Sequence, residues 1–193
     1  MPVPGQYRPS LVWMKLAALH LRQRDTVTCG PAVAVVAGAL LDPAYRKKLT
    51  GRGEAGAAAG RAWFDGEQGR VHDQVNRLWP RKLGTTPMGV ARAMSAHSGT
   101  YGVRYGWRLC RGRRDAMADV LAEVAAQWPV AMLVGRFIPR HWVLIVETTG
   151  DVLRCYEPSS GEMRSVDVAA VRGARLRGLG FPRAFAFVLP RRP

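Results

Sequence analysis

The sequence predicts an α+β fold, with N-terminal helices packed on a C-terminal antiparallel sheet. Two observations carry this. Before Trp128-Pro129 the apolar residues recur at helical spacing or fill a run too long for a strand; after it they come in short blocks separated by turn residues. Helices first and hairpin-linked strands afterwards is the pattern of that class. A third observation sets the scale. A length of 193 residues suits one domain, and 48% hydrophobic against 22% charged residues excludes a disordered chain. A chain this long needs no disulfide or metal staple to fold.

Each element follows from its residues. Pro2, Pro4 and Pro9 mark an arm, and Val12, Leu16 and Leu19 within Leu11–Leu21 predict a short helix. Residues 1–19 are therefore expected to stand apart from a single domain at 20–193. Gln23 to Pro31 is mostly polar and turn-like. It runs into Ala32–Leu41, small and apolar on every side, which predicts a buried helix. Pro31 falls in its first turn, where a missing N–H has no partner to lose, and Asp42-Pro43 ends it. Residues 49–70, with Gly51, Gly53, Gly56 and Gly60, read as a mobile loop, and as a flap if a cleft lies beside it. Val71, Val75 and Leu78 mark a short helix. Gly84-Thr85-Thr86-Pro87 starts another, with Val90, Ala91 and Met94 on one face.

Tyr101–Leu109 alternates loosely and reads as a strand, and Arg111–Arg114 as a solvent-facing basic turn. Asp115–Gln127 is a helix with Met117, Val120, Leu121, Val124 and Ala125 at helical spacing. Strands follow at Val130–Val134, Trp142–Glu147, Val152–Tyr156, Glu162–Val168 and Phe181–Leu189. The segments Gly135–Arg140, Thr148–Asp151 and Glu157–Gly161 turn the chain between the first four.

Net charge is +15, from 29 basic and 14 acidic residues. Alone, this points to nucleic acid or another anionic surface. Yet 25 of the basic residues are Arg, and the halves carry similar excesses: +8 over residues 1–100 and +7 over 101–193. That evenness suits a coding bias as well as a binding device. No helix-turn-helix, finger or RNA-recognition pattern is present, although Arg46-Lys47-Lys48 and Arg111–Arg114 are local basic sets. Clustering discriminates: a binder gathers its arginines on one face, whereas a coding bias scatters them. No apolar stretch approaches the roughly 20 residues that span a bilayer. The start lacks the apolar core of a cleavable signal. The expected location is the cytoplasm, or outside the cell by a route without a cleaved signal peptide.

The three cysteines are too few for a disulfide scaffold, and none pairs at short spacing as a zinc site would require, so no metal and no cofactor are implied. Cys110 and Cys155 read as structural. Cys29 differs, because it stands where the buried helix begins. The unpaired N–H groups and positive dipole end of a helix favour the thiolate, the nucleophilic form. A base must take its proton. Of His20, His72, His97 and His141, only His141 opens a strongly apolar strand that would hold it firmly. Glu157 ends the next strand, after a hairpin that returns the chain to the level of His141, and can orient the imidazole. Asp151 and Asp167 are weaker rivals. Gln23, six residues before Cys29, offers a side-chain amide to an oxyanion hole, with the Cys29 N–H as second donor. Gly30, Trp142 and Thr86 are candidates to line the cleft.

Gln23, Cys29-Gly30-Pro31 opening a helix, His141-Trp142 opening a strand and Glu157-Pro158-Ser159-Ser160-Gly161 together resemble the papain-like cysteine peptidases. More closely they resemble the bacterial C39-like branch. There a Gln precedes the Cys by six, a Gly follows the Cys, and the His opens a strand. The third residue of that branch is usually Asp before Pro; here it is Glu157, one methylene longer. Trp79-Pro80 through Pro87 is similar to the family's middle segment, and the likeness spans most of residues 20–168. It implies a papain-like catalytic domain and a Cys-His-Glu triad with Gln23 as oxyanion donor. The implied activity is that of a peptidase or amidase on a peptide or protein, an acidic one if the basic charge steers it. Papain-like deamidases and acyltransferases use the same groups, so modification of a protein partner is an alternative. A basic nucleic-acid or anionic-surface binder without catalysis, and an inactive papain-like domain, are the others.

Overall fold

A computed structural model of the chain describes residues 9–50, 53–75 and 84–191. The opening prolines Pro2 and Pro4, Leu78 and Trp79-Pro80 lie outside the described residues. Six strands form one antiparallel sheet in the order β1-β6-β2-β3-β4-β5. They are β1 (Arg104–Leu109), β2 (Val130–Gly135), β3 (Pro139–Thr149), β4 (Val152–Glu157), β5 (Glu162–Asp167) and β6 (Arg183–Arg191). The helices are α1 (Pro9–Ala17), α2 (Cys29–Leu41), α3 (Pro43–Lys47), α4 (Gly53–Val75), α5 (Pro87–Ser98), α6 (Ala118–Ala125) and α7 (Val168–Arg172). This is the expected α+β layout, with one strand, β1, lying between α5 and α6 in the chain. Among the described residues no helix is long and apolar enough to cross a membrane.

The central strands of the sheet are buried on both faces, and period-two alternation sorts their side chains. Ala131, Leu133, Trp142 and Leu144 join the core beneath α2, α4 and α5. Val130, Met132, Val134, Val143 and Ile145 join a second core beneath α6 and α7. This is why β2 reads as an unbroken apolar run rather than an alternating one.

Helix α2 is the centre of the first core, with all 13 of its residues buried. It packs on β3, α4 and α5. Val33, Val35 and Val36 are fully enclosed, at about 2 kcal/mol each relative to exposure. Asp42 ends α2 and starts α3, its Oδ1 accepting the Ala44 and Tyr45 N–H groups at 2.8 and 3.2 Å.

Residues 49–70 differ most from expectation. From Gly53 on they are neither loop nor flap: Gly53–Val75 is one helix of 23 residues, which also absorbs the short helix expected from Val71 and Val75. Gly60, Phe64, Glu67, Gln68 and Val71 form its buried face at helical spacing. Gly60 sits where a Cβ would stand 2.2 Å from the Leu49 carbonyl oxygen. Close packing therefore explains a glycine that suggested a loop. Other corrections are smaller. Helix α1 ends at Ala17 rather than Leu21. Tyr101 closes a short 3-10 turn, Gly99–Tyr101, before β1. Asp115 precedes α6, because its carboxylate accepts the Arg111 and Met117 N–H groups and Met117 stands at φ 56°. Val168 begins α7 instead of ending β5.

Candidate active site

Cys29 is the first residue of α2. Thr28 before it makes no side-chain cap to the helix. Its hydroxyl turns back instead, accepting from the Asp25 N–H at 3.1 Å and donating to the Asp25 carbonyl at 3.3 Å. The positive end of α2 therefore bears on the Cys29 thiol without a side-chain acceptor from Thr28 to offset it. Gly30 lets the sheet approach this end. A Cβ there would stand 2.7 Å from Thr85 Cβ and 3.2 Å from Trp142 Cδ1. The Trp142 indole N–H donates to the Thr85 carbonyl at 2.9 Å and ties β3 to the segment that starts α5.

His141 lies near the start of β3, opposite Val134 of β2. Its Nε2 is 2.7 Å from Glu157 Oε1, and both side chains are buried. Glu157 ends β4 and is held from its other side by the turn that follows. The Ser159 N–H donates to Oε1 at 2.8 Å and the Ser160 N–H to Oε2 at 2.9 Å. Burial pushes the Glu157 carboxyl up, but His141 and these two N–H groups overcome it and hold the group near 2. Burial likewise pushes His141 down. The neighbouring Cys29 thiol and the Glu157 carboxylate outweigh it and raise the ring to about 9. Among the described residues the ring is hydrogen-bonded to Glu157, and no hydrogen bond joins it to Cys29. Phe181 covers it, ring centroids 5.4 Å apart and nearly parallel.

Gln23 lies beside the same turn. Its N–H donates to the Pro158 carbonyl at 2.7 Å, and Ser159 Oγ donates to its Oε1 at 3.4 Å. Its Nε2 donates to the Asp25 carbonyl at 2.8 Å, within its own loop. Among the described residues no hydrogen bond joins Gln23 to Cys29. Further bonds fasten this loop, among them one from Gln68 Nε2 to the Arg22 carbonyl at 3.2 Å. The Tyr156 hydroxyl donates to the Leu21 carbonyl at 2.7 Å and Arg22 Nε to the Ser160 carbonyl at 2.9 Å. Gln68 of α4, fully buried, accepts from the Arg24 N–H at 3.0 Å. Gly161 makes the crossing feasible, since its φ is +71° and a Cβ would meet the His20 carbonyl carbon at 2.8 Å.

The remaining candidates fall elsewhere. Thr86 is the N-cap of α5, its hydroxyl accepting from the Gly89 N–H at 3.1 Å, and its neighbour Thr85 is the residue that touches Gly30. Trp142 is 1% exposed and belongs to the first core. His97 packs on Gly38 and Tyr45 at the far end of α2, His72 is buried in α4, and His20 is exposed after α1. Asp151 is exposed in the β3–β4 turn, and Asp167 pairs with Val152 at the far end of β4. Cys155 is enclosed in the second core and its thiol is pushed up to about 12 by burial; burial also raises Cys110. Among the described residues no three His, Cys, Asp or Glu side chains gather as a metal site would require. Thr85, Gln68 and Phe181 surround the site without having been singled out from sequence. Phe181, at the start of an expected strand, carried the clearest signal of the three.

No protein-family model and no curated protein matches the chain. A solved structure similar to it is the peptidase domain of Streptococcus ComA, a bi-functional ABC transporter involved in a quorum sensing pathway. The two share 17% sequence identity at a TM-score of 0.44, over 89% of this chain and 97% of that one.

Proposed function

We propose that the chain is a cysteine-dependent hydrolase of papain-like type, a peptidase or amidase acting on a peptide or protein. The observation that supports this is the buried pair of His141 and Glu157, 2.7 Å apart, with the His141 ring raised in part by the thiol of Cys29, the first residue of a buried helix. In this reading the raised His141 ring holds the Cys29 proton on Nδ1, the ring nitrogen left when Nε2 is engaged by Glu157, and the thiolate Sγ attacks the acyl carbon. Glu157 stabilises the imidazolium. The Cys29 N–H and the second hydrogen of Gln23 Nε2 stabilise the oxyanion, while the first stays on Asp25. The imidazolium then protonates the leaving amine as the carbon–nitrogen bond breaks. A water, deprotonated by His141, adds to the thioester and releases acid and free thiol.

Alkylation with iodoacetamide at about pH 6, read by peptide mapping, tests this. Cys29 is expected to react at least about tenfold faster than Cys110 or Cys155, whose thiols burial raises, and to lose that advantage in His141→Ala. Equal rates at Cys29 and Cys110 would overturn the reading.

A further inference from the structure

The arginines are not all scattered. Two segments far apart in the chain meet on the face of the sheet that carries α6 and α7. A 3-10 turn at Gly112–Arg114 packs against α7, and Arg172 Nη2 donates to the Arg113 carbonyl at 3.0 Å. Arg111, Arg113 and Arg114 from the first segment and Arg172, Arg175 and Arg177 from the second are all exposed. Among the described residues none of the six forms an ion pair. Asp115 and Asp119 both bind Arg108, while Asp151 and Asp167, beside the start of α7, are exposed and form no ion pair among the described residues. From Val168 to Pro193 the sequence has six arginines and no acidic residue. Equal charge on the two halves of the chain conceals this, because the cluster joins the beginning of the second half to a segment near its end.

We propose that this patch binds the phosphate backbone of double-stranded nucleic acid. A guanidinium outside an ion pair offers a planar fork of donors that matches phosphate oxygens, and none of these six is held in an ion pair among the described residues. Neither segment carries an aromatic residue on which an unpaired base could stack, so the contact is to backbone rather than to single-stranded bases. Neither presents a large exposed apolar side chain either; in the chain, Leu109 and Trp107 stand two and four residues before Arg111. A membrane anchor of this kind needs a buried apolar face that these two residues do not supply. The patch uses none of Cys29, His141, Glu157 or Gln23, so it stands independently of the hydrolase reading.

Fluorescence anisotropy with a labelled DNA duplex of about 20 base pairs, between about 50 and 200 mM salt, tests the patch. Two quadruple variants carry the same change in net charge. One replaces patch residues (Arg111→Glu, Arg114→Glu, Arg175→Glu, Arg177→Glu); the other replaces exposed arginines spread over α4, α5, β1 and the β2–β3 turn (Arg61→Glu, Arg92→Glu, Arg104→Glu, Arg136→Glu). The patch variant is expected to lose about 100-fold in affinity and three to four units of the log–log salt slope, at roughly 0.9 per phosphate contact. The scattered variant is expected to lose less than about tenfold with the slope kept. A milder pair, Arg114→Gln with Arg177→Gln, keeps the test valid if the charge reversals disturb folding, and should lower the slope by about two. Equal losses in the two quadruple variants would overturn the proposal by making total charge the determinant. So would a wild-type chain that fails to bind the duplex at 50 mM salt, or one that binds phosphatidylglycerol vesicles through these residues but not DNA.

Discussion

One hydrogen bond of 2.7 Å, between His141 and Glu157, couples stability to pH. His141 is raised from 6.5 to about 9, so its stabilising share is complete below pH 6.5 and is lost as pH rises through 9. Glu157 is lowered from 4.5 to about 2, so its share is complete above pH 4.5 and is lost as pH falls through 2. Both shifts draw on this pair, the Cys29 thiol adding to that of His141 and the Ser159 and Ser160 N–H groups to that of Glu157, and the pair's full effect lies between pH 4.5 and 6.5. Glu157→Gln keeps the shape and removes the charge. It is expected to destabilise by about 1–3 kcal/mol in that window and by less on either side. Urea titrations of both proteins at about pH 2, 5.5 and 9.5 measure it; a constant difference would mean that the charge contributes nothing. Gly161→Ala probes the same corner through the backbone. Its φ of +71° and the His20 carbonyl carbon 2.8 Å from a Cβ leave no unstrained position for the methyl. A loss of about 2–3 kcal/mol is expected in the same assay.

Helix α4 shows why one element was hidden from sequence while others were legible. Its five alanines favour a helix and its glycines oppose one, at about 1 kcal/mol each. Propensity alone left the balance open, and tertiary contact settled it. Phe64, Gln68 and Val71 bury one face, and Gly60 lets Leu49 press on the backbone. The two kinds of glycine in α4 should respond oppositely to the same substitution. Gly66 is exposed with nothing near its Cβ position, so Gly66→Ala is expected to stabilise by about 0.5–1 kcal/mol. Gly60→Ala gains the same propensity but drives a methyl to 2.2 Å from the Leu49 carbonyl oxygen, so a net loss of at least about 1 kcal/mol is expected. Thermal unfolding of the two variants separates them, and stabilisation by both would show that α4 does not pack against Leu49. The strands, by contrast, were legible because a two-residue period and turn residues are local signals. The hairpin that brings Glu157 level with His141 follows from them. Gln68 on the Gln23 loop and Phe181 on His141 were not legible, because contacts 44 and 40 positions apart in the chain leave no periodic trace.

At the scale of the whole molecule the two cores and the charge oppose each other. A sheet whose central strands are buried on both faces brings a chain of net charge +15 into a small volume. Self-repulsion then acts more strongly on the folded state than on the expanded chain. The exposed ion pairs Arg24–Asp25, Arg154–Glu147 and Arg164–Glu162 work the other way, but such pairs contribute only about 0.2–1 kcal/mol each. Salt weakens both effects, and its sign on stability shows which is larger. Raising ionic strength from about 0.01 to 0.15 M shortens the screening length from about 30 to 8 Å, which removes the many long-range repulsions more completely than the few contacts. The melting temperature is therefore expected to rise by about 2–4 °C, equivalent to roughly 1 kcal/mol for a chain of this length. The quadruple Arg→Glu variant of the patch removes eight units of the excess, so its rise should be smaller than that of the wild type. A melting temperature that falls with sodium chloride would mean that the ion pairs outweigh the repulsion. A rise equal in both proteins would mean that the six clustered arginines do not repel one another in the folded state.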